Sequence, residues 1–512
     1  MGLNSETRTK NAAKNVTAAF MNKIILLLLT FVSRKIFIQY IGVEYLGIHS
    51  LFANILTLLA MADLGLSTAM NVSLYRPIAD KDTRKLSALM HYYKKLYNYI
   101  AAAITVIGIA LVPFLKYLVR LDSDIPHLTV YYLMYLANTV ISYLFIYKAA
   151  LINADQKNYL VNKVAIWVNV LKVIVQIIVV IVFHLYIIYV AVEIFATLLN
   201  NIVISTQAER IYPFLRDKNN DLSKTEKKDI FNNISSVFLY KISYSLINGT
   251  DNILISVIVG TVTVGLYSNY LSITTNLESM IAILFSSLTA GIGNLVATDS
   301  GNKQYRTFKT MQMVSFWICG IVSTALLLLT QDFITLWLGK EYALENLVLL
   351  AIVCNTFFST CMRPVWTFRE GTGMYAQIRY IMVVTAVLNL ILSVVLGKWI
   401  GLSGILFATS ISKISTYFWY EPNILFKKFF KTKVRYYYLE YAKNFALVLI
   451  SVITCAFATY FINIITVFTW GLKAVICVGI TCFIYFLAYR KTEEFAFMIV
   501  KIKSLLRRKQ SN

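Results

Sequence analysis

Long apolar runs recur along this whole chain, and the lysines and arginines that lie between the runs fall almost entirely in every second gap. A helix needs about 20 apolar residues to cross about 30 Å of hydrocarbon. Fourteen runs qualify: 16–38, 45–72, 93–117, 128–151, 162–183, 185–205, 235–258, 266–292, 307–329, 345–366, 378–397, 402–420, 441–463 and 470–489. The run at 185–205 follows a very short gap at His184, and 402–420 starts just after Gly401. Hydrophobic residues make up 58% of the chain, against roughly 45–50% in soluble proteins. The expectation is an all-α, polytopic membrane protein of about 14 transmembrane helices.

Orientation follows from the basic residues. With the N-terminus inside, the interior gaps and tails hold 29 Lys and Arg, and the exterior gaps hold 3. Cytoplasmic loops retain Lys and Arg, so both basic tails are expected in the cytoplasm and the number of spans is expected to be even. The net charge of +23 is then mostly a topology signal. Its spread over many short loops argues against a nucleic-acid partner and suits an anionic inner leaflet. The first run lacks a small-residue cleavage site and is long enough to span, so no cleavable signal is expected. Six cysteines lie inside the runs with no CxxC pair, and four histidines are scattered. That pattern gives no thiol or histidine metal site, and no cofactor is implied.

The chain reads as a duplication. Its largest interior gap, centred on RIYPFLRDKNNDLSKTEKKD, is polar, carries a proline and reads as a linker. A shift of 218 positions superposes Gly42 on Gly260, Gly47 on Gly265, Ser50 on Ser268 and Lys23 on Lys241; a shift of 219 superposes Phe114 on Phe333. The expected organisation is a six-helix lobe at 1–205, a cytoplasmic linker at 206–234, a second six-helix lobe at 235–420, and two extra helices with a basic tail at 421–512. Parallel repeats of this kind are one way transporters are built.

Ionisable side chains inside the spans mark candidate sites, because each costs roughly 2.5–3.5 kcal/mol at the bilayer centre. Lys23, Thr30 and Arg34 share one face of span one, and Lys241, Ser245, Asn248 and Asn252 share one face of span seven. Under the 218 shift, Lys23, Thr30 and Arg34 fall on Lys241, Asn248 and Asn252. Two such stripes are expected to line a cavity. Taken singly, Lys23 lies about 10 Å from the inner edge and has snorkelling as its alternative. Lys172, in the middle of span five, is a further cavity candidate. Asp63 is placed at the depth of Lys23 and is its candidate partner. Asp251, Glu278 and Glu193 are each candidates for ion or proton coupling, or for structural pairing with a cation. Lys413 and Lys473 lie nearer span ends and are expected to snorkel, and Lys35 is expected to anchor at the interface. Buried cations suit an anionic substrate, with Arg offering a fork to phosphate and Lys a mobile point charge. No catalytic arrangement emerges beyond LDSD at 121–124, where Asp122 and Asp124 form a weak DxD and capping is the commoner reason for acids. Gly-rich nucleotide loops are absent, which argues against direct drive by ATP.

The stretch SRKIFIQYIGVEYLGIHSLFANILTLLAMADLGLSTAM (33–70) resembles the start of bacterial lipid-linked oligosaccharide flippases. These form the polysaccharide branch of the multidrug/oligosaccharidyl-lipid/polysaccharide (MOP) exporter superfamily. Similar segments are LYRPIADKDTRKLSALMHYYKKLY (74–97), INADQKNYLVNK (152–163), TDNILIS (250–256) and GLYSNY (265–270). The resemblance covers nearly the whole chain through diffuse motifs. It implies a MOP/MATE-like fold of two six-helix lobes around a cavity that opens to one side at a time, with two further helices. It implies, as substrate, an undecaprenyl-diphosphate-linked oligosaccharide moved between leaflets of the bacterial cytoplasmic membrane for capsule or exopolysaccharide synthesis. A polysaccharide polymerase and glycosyltransferases are candidate partners. Basic residues on the first and seventh helices would hold the diphosphate, and Lys23, Arg34 and Lys241 match by helix and face. Asn252 stands where span one has Arg34, which puts a symmetric two-arginine clamp in doubt. A multidrug exporter of the same fold, favouring cationic drugs, and a membrane glycosyltransferase or polymerase using Asp122 and Asp124 are the alternatives.

Overall fold

The computed structural model of the chain describes residues 27–63, 66–120, 125–155, 157–216, 222–298, 301–462, 464 and 466–500. Among these the regular structure is helical, with no strand. The chain divides into two compact units, Met1–Ser268 and Asn269–Asn512.

The first unit carries α1 (27–40), α2 (Val43–Leu59), α3 (Leu66–Ala79), α4 (Thr83–Ala110), α5 (Leu115–Leu118), α6 (Leu128–Ala154), α7 (Asn158–Phe183), α8 (Tyr186–Ile211), α9 (Lys224–Gly249) and α10 (Asp251–Ile258). It ends in the opening turns of α11 (Thr261–Thr298). Local chemistry sets the starts. The Asp82 carboxylate accepts from the Lys85 amide and caps α4, and Ser223 with Glu226 forms a capping box on α9. His184 takes a left-handed conformation, φ 55°, and turns α7 into α8 within two residues. Helix α7 has 26 residues, about 39 Å at 1.5 Å per residue, enough to span. Its apolar stretch is only 17% buried inside the protein, and Trp167 is 69% exposed. That face belongs against acyl chains.

Span two is not one helix. A 3₁₀ turn at Ala60–Asp63 separates α2 from α3. Span seven is interrupted as well, at Thr250 between α9 and α10.

The duplicated glycines meet. Gly42 and Gly260 have φ of 105° and 141°, a region favouring glycine, and each stands at a helix start, ahead of α2 and α11. One turn further, α2 and α11 cross in backbone contact. A Cβ on Gly47 would strike the Thr261 carbonyl oxygen, and a Cβ on Gly265 would strike the Val43 carbonyl oxygen. Val43 and Thr261 are themselves related by the 218 shift, so the crossing is reciprocal. A glycine on each helix at the contact point is what allows two helices to approach this closely in a bilayer. The neighbouring loop seals it: the Thr261 amide donates to the Arg120 carbonyl at 2.8 Å, and the Arg120 amide donates to Thr261 Oγ1 at 3.0 Å.

The second unit carries the rest of α11, then α12 (Gly301–Trp337), α13 (Asn346–Thr372), α14 (Tyr375–Ser415), α15 (Tyr417–Leu425), α16 (Arg435–Ala458) and α17 (Val467–Tyr489). Helix α14 joins two expected spans across a kink at Ile400 and Gly401, where Gly401 has φ 61°. Helix α12 packs against α13, α16 and α17. The apolar stretch of α13 is 72% buried, whereas that of α17 is 17% buried, so α13 is central and α17 peripheral. The last two helices are tied in by polar bonds. Tyr485 Oη donates to Asn444 Oδ1 at 2.5 Å, and Asn444 Nδ2 reaches Cys361 Sγ at 3.3 Å, linking α17, α16 and α13. Lys473 pairs with Asp332 at 2.7 Å, so its charge is neutralised across α17 and α12 rather than snorkelling alone. Lys413, also expected to snorkel, is 6% exposed, so it is enclosed by the protein rather than extended to the interface.

Two tests follow from these contacts. Replacing Gly47 or Gly265 by Val should each lower stability by about 1–3 kcal/mol through overpacking. The double variant should cost less than the sum, because either side chain already parts the helices. Thermal unfolding of the purified protein reads this, and unchanged midpoints would remove the crossing. Below the membrane-spanning part of α17, burial pushes the Glu494 carboxyl up, but the hydrogen bond and charge of Lys309, at 2.6 Å, hold it net below the ordinary range. A depressed carboxylate stabilises above its unfolded value and loses that contribution as pH falls through the folded one. Wild type should therefore lose more thermal stability between pH 6 and pH 3 than Glu494→Gln does (both pH values about these, chosen to bracket the ordinary range).

Candidate functional site

Helix α1 places one cation within the first unit without a carboxylate partner among the described residues. Arg34 is half-buried, and its Nη2 donates to Ser268 Oγ at 2.5 Å. Ser268 in turn donates to the Gly265 carbonyl at 2.7 Å. Arg34 is thus tethered to the turn that makes the glycine crossing. Its Nε has no hydrogen-bond partner. A guanidinium has five N–H donors, and the Nε one is unspent among the described residues.

A polar cluster of the same unit continues from it. His49 of α2 is hydrogen-bonded to Tyr135 of α6, and Tyr135 to Tyr186 of α8 at 3.1 Å. Tyr186, Tyr189 and Glu193 stand at i, i+3 and i+7 on one face of α8. The Tyr189 ring meets Phe37 of α1 edge-on at 4.9 Å and lies 6.2 Å from the His49 ring. Glu193 accepts from Lys172 Nζ at 2.8 Å and from Gln176 Nε2 at 3.1 Å, joining α8 to α7. Lys172, read from sequence as a substrate cation, therefore has its charge spent on Glu193. Of the two roles open to Glu193, the structure displays the pairing one.

The other sequence candidates fall as follows. Lys23 lies outside the described residues, as do Asp122 and Asp124. Asp63 closes the 3₁₀ turn between α2 and α3, and its side chain is outside what is described, so the Lys23–Asp63 pair is untested. Lys241 is half-buried on α9. Asn248 is exposed and donates to the Tyr244 carbonyl at 2.7 Å. Asn252 lies beyond the break at Thr250, is 3% exposed, and its Oδ1 has no partner. The span-seven stripe is thus divided between two helices with different environments. Asp251 opens α10, where a carboxylate suits the positive end of the helix dipole. Glu278 is half-buried on α11 in the second unit, within electrostatic reach of Arg363 and Lys413.

Sequence reading missed His49, Tyr135, Tyr186 and Tyr189. The i, i+3, i+7 spacing on α8 was the available signal. It also missed several ion pairs, Lys473–Asp332 and Lys309–Glu494 among them. Arg369 and Glu421 bond at 3.0 Å with side chains 6% and 0% exposed. Lys148 reaches both Ser205 and Glu209 at 2.5 Å.

No protein-family profile and no curated protein matches the sequence. Solved structures do. One is the lipid II flippase MurJ in an inward closed conformation, with TM-score 0.65 and 14% identity, over 92% of this chain and 98% of that one. Another is an inward-facing multidrug resistance MATE family transporter of the MOP superfamily, with TM-score 0.60 and 16% identity, over 78% of this chain and 94% of that one. A third is a mutant of the Vibrio cholerae MATE transporter VcmN, with TM-score 0.56 and 13% identity, over 83% of this chain and all (100%) of that one. The likeness is one of fold: the chain shares the all-helical architecture of these solved membrane proteins.

The Lys172–Glu193 pair can be tested by its asymmetry. Lys172→Met leaves Glu193 ionised against Gln176 alone and should cost up to about 3 kcal/mol. Lys172→Met with Glu193→Leu should recover most of the loss. Equal thermal midpoints for the single and double variants would show that the pair is not a structural unit.

Proposed function

We propose that the protein is a flippase. It moves an undecaprenyl-diphosphate-linked oligosaccharide repeat unit from the inner to the outer leaflet of the bacterial cytoplasmic membrane by alternating access, for capsule or exopolysaccharide synthesis. The observation that carries this reading is Arg34: a guanidinium within a membrane fold, bonded to a neutral serine, with Nε unspent. A diphosphate gains charge-assisted, bidentate bonds from such a group, and a cationic drug would be repelled. Lys23 and Lys241, related by the 218 shift, supply further positive charge, with Asn248 and Asn252 as neutral donors. Lys172 contributes if a substrate draws it from Glu193. Asp63, Asp251 and Glu278 are the carboxylates assigned to ion coupling or charge balance. The likeness to the lipid II flippase covers 92% of the chain, against 78% and 83% for the two MATE structures, which supports a lipid-linked cargo. The sugars would cross a wet path while the lipid tail stays in the bilayer. Both termini would be cytoplasmic, as the basic gaps imply.

A multidrug exporter is the second reading, favoured by the MATE likenesses and by the intramembrane acids Glu193 and Glu278. The two readings separate in cells. Lys23→Ala, Arg34→Ala and Lys241→Ala should each lower surface glycan, with Arg34→Ala lowering it roughly tenfold, while lipid-linked precursor accumulates on the inner leaflet. Normal export in all three would refute the assigned roles. Drug sensitivity with intact glycan in a deletion strain would favour the exporter.

A further inference from the structure

The second unit holds a cavity of about 470 Å³ where the first turns of α12 face residues 426–430, α16 and the end of α17. It shares no residue with the Arg34 cluster. It lies at the basic end of these helices: Lys427, Lys428, Lys431, Lys433 and Arg435 precede α16 or open it, and Arg490 and Lys491 follow α17. Two buried polar groups at this cavity have no hydrogen-bond partner. Gln312 is 5% exposed with Nε2 unpartnered, and Tyr489 is 3% exposed with Oη unpartnered. A buried donor left unsatisfied loses its hydration for nothing in return, so packing alone gives no reason to keep either.

The lysines beside them are also underused. Lys443 Nζ sits over the Tyr489 ring at 4.5 Å and reaches Glu440 only at 3.4 Å. Lys309 is held by Glu494 at 2.6 Å and keeps two further N–H donors. The unspent capacity is therefore donor capacity: an amide N–H, a phenol O–H and ammonium N–H groups. The two carboxylates, Glu440 and Glu494, face the lysines, and the weak Glu440 contact is the one an incoming anion would displace. Aromatic rings from Phe316, Phe426 and Tyr437 wall the cavity. Donors beside aromatic walls fit an oxyanion joined to an apolar or planar group.

We infer that this pocket is a second ligand site, taking a phosphate ester with its phosphate oxygens on Gln312, Tyr489 and Lys443 and its apolar or planar part against the rings. The same chemistry is offered by a phospholipid headgroup and by a soluble nucleotide. Native mass spectrometry of the full chain in detergent distinguishes them, with dioctanoyl-phosphatidylglycerol, dioctanoylglycerol and adenosine monophosphate as probes. A single saturable adduct is expected with a phosphate-bearing probe and not with dioctanoylglycerol. Preference for the phosphatidylglycerol identifies a lipid headgroup, and preference for the nucleotide a soluble ligand. Gln312→Leu with Tyr489→Phe should weaken binding roughly tenfold. Tyr489→Phe alone, which removes one oxygen and keeps the ring, should weaken it roughly threefold. Arg34→Gln should leave it unchanged. The inference is overturned if no phosphate probe outcompetes dioctanoylglycerol, if Tyr489→Phe binds as wild type, or if Arg34→Gln abolishes binding. A null effect of Arg34→Gln on glycan export would instead count against the flippase reading and leave this site standing.

Discussion

The closest backbone approach described in the first unit is the crossing of α2 and α11 at Gly47 and Gly265, and the Arg34 site is built on it. Hydrocarbon offers no hydrophobic drive for helices to associate, so close backbone approach and the dispersion it brings must hold them. Each glycine faces the carbonyl of the residue four before the other, Thr261 or Val43. Everything chemically notable nearby is indexed to that approach. Ser268 sits one turn beyond Gly265 and donates to its carbonyl, and Arg34 donates to Ser268. The arginine is aimed by the crossing, because its anchor stands on the crossing helix.

Charges in these helices fall into two kinds. Lys148 with Glu209, Lys172 with Glu193, and Arg369 with Glu421 are cations matched to carboxylates on other helices. Pairs of this kind join neighbouring helices, and each loses its purpose if one partner is removed. Arg34 is of the second kind. Among the described residues its bond goes to a neutral hydroxyl, and no carboxylate there compensates its charge. That distinction is what makes it a binding candidate, and it is invisible to any count of intramembrane charges.

The spans were legible because apolar length and the alternation of basic gaps act residue by residue. The repeat was legible through Gly42, Gly47, Gly260 and Gly265, since positive φ and backbone contact leave no other residue type comfortable there. What escaped sequence reading depended on which helices become neighbours. Lys172 looked like a cavity cation because nothing in the chain says that Glu193, across the turn at His184, comes within 2.8 Å. Lys413 looked like a snorkelling residue because it lies nearer a span end, and hydropathy does not say which neighbours enclose it. The stripe from Lys241 to Asn252 assumed one continuous helix, although Asn248-Gly249 just ahead of the interruption at Thr250 is a breaker that could have announced it.

The duplication expected from the 218 shift keeps symmetry at some positions and gives it up at others. The glycines and the two serines, Ser50 and Ser268, keep their places under the 218 shift, yet Arg34 corresponds to Asn252. A symmetric site would need Asn252 to reach toward Ser50 as Arg34 reaches Ser268. Its side chain is far shorter, and it is buried in α10 with Oδ1 unpartnered. The scaffold positions answer to backbone geometry, which is the same in both copies. On the proposed reading the polar positions would answer to a ligand, a lipid-linked oligosaccharide whose charged diphosphate joins glycan to lipid at one point. An asymmetric cation on a symmetric crossing is the arrangement such a molecule would select.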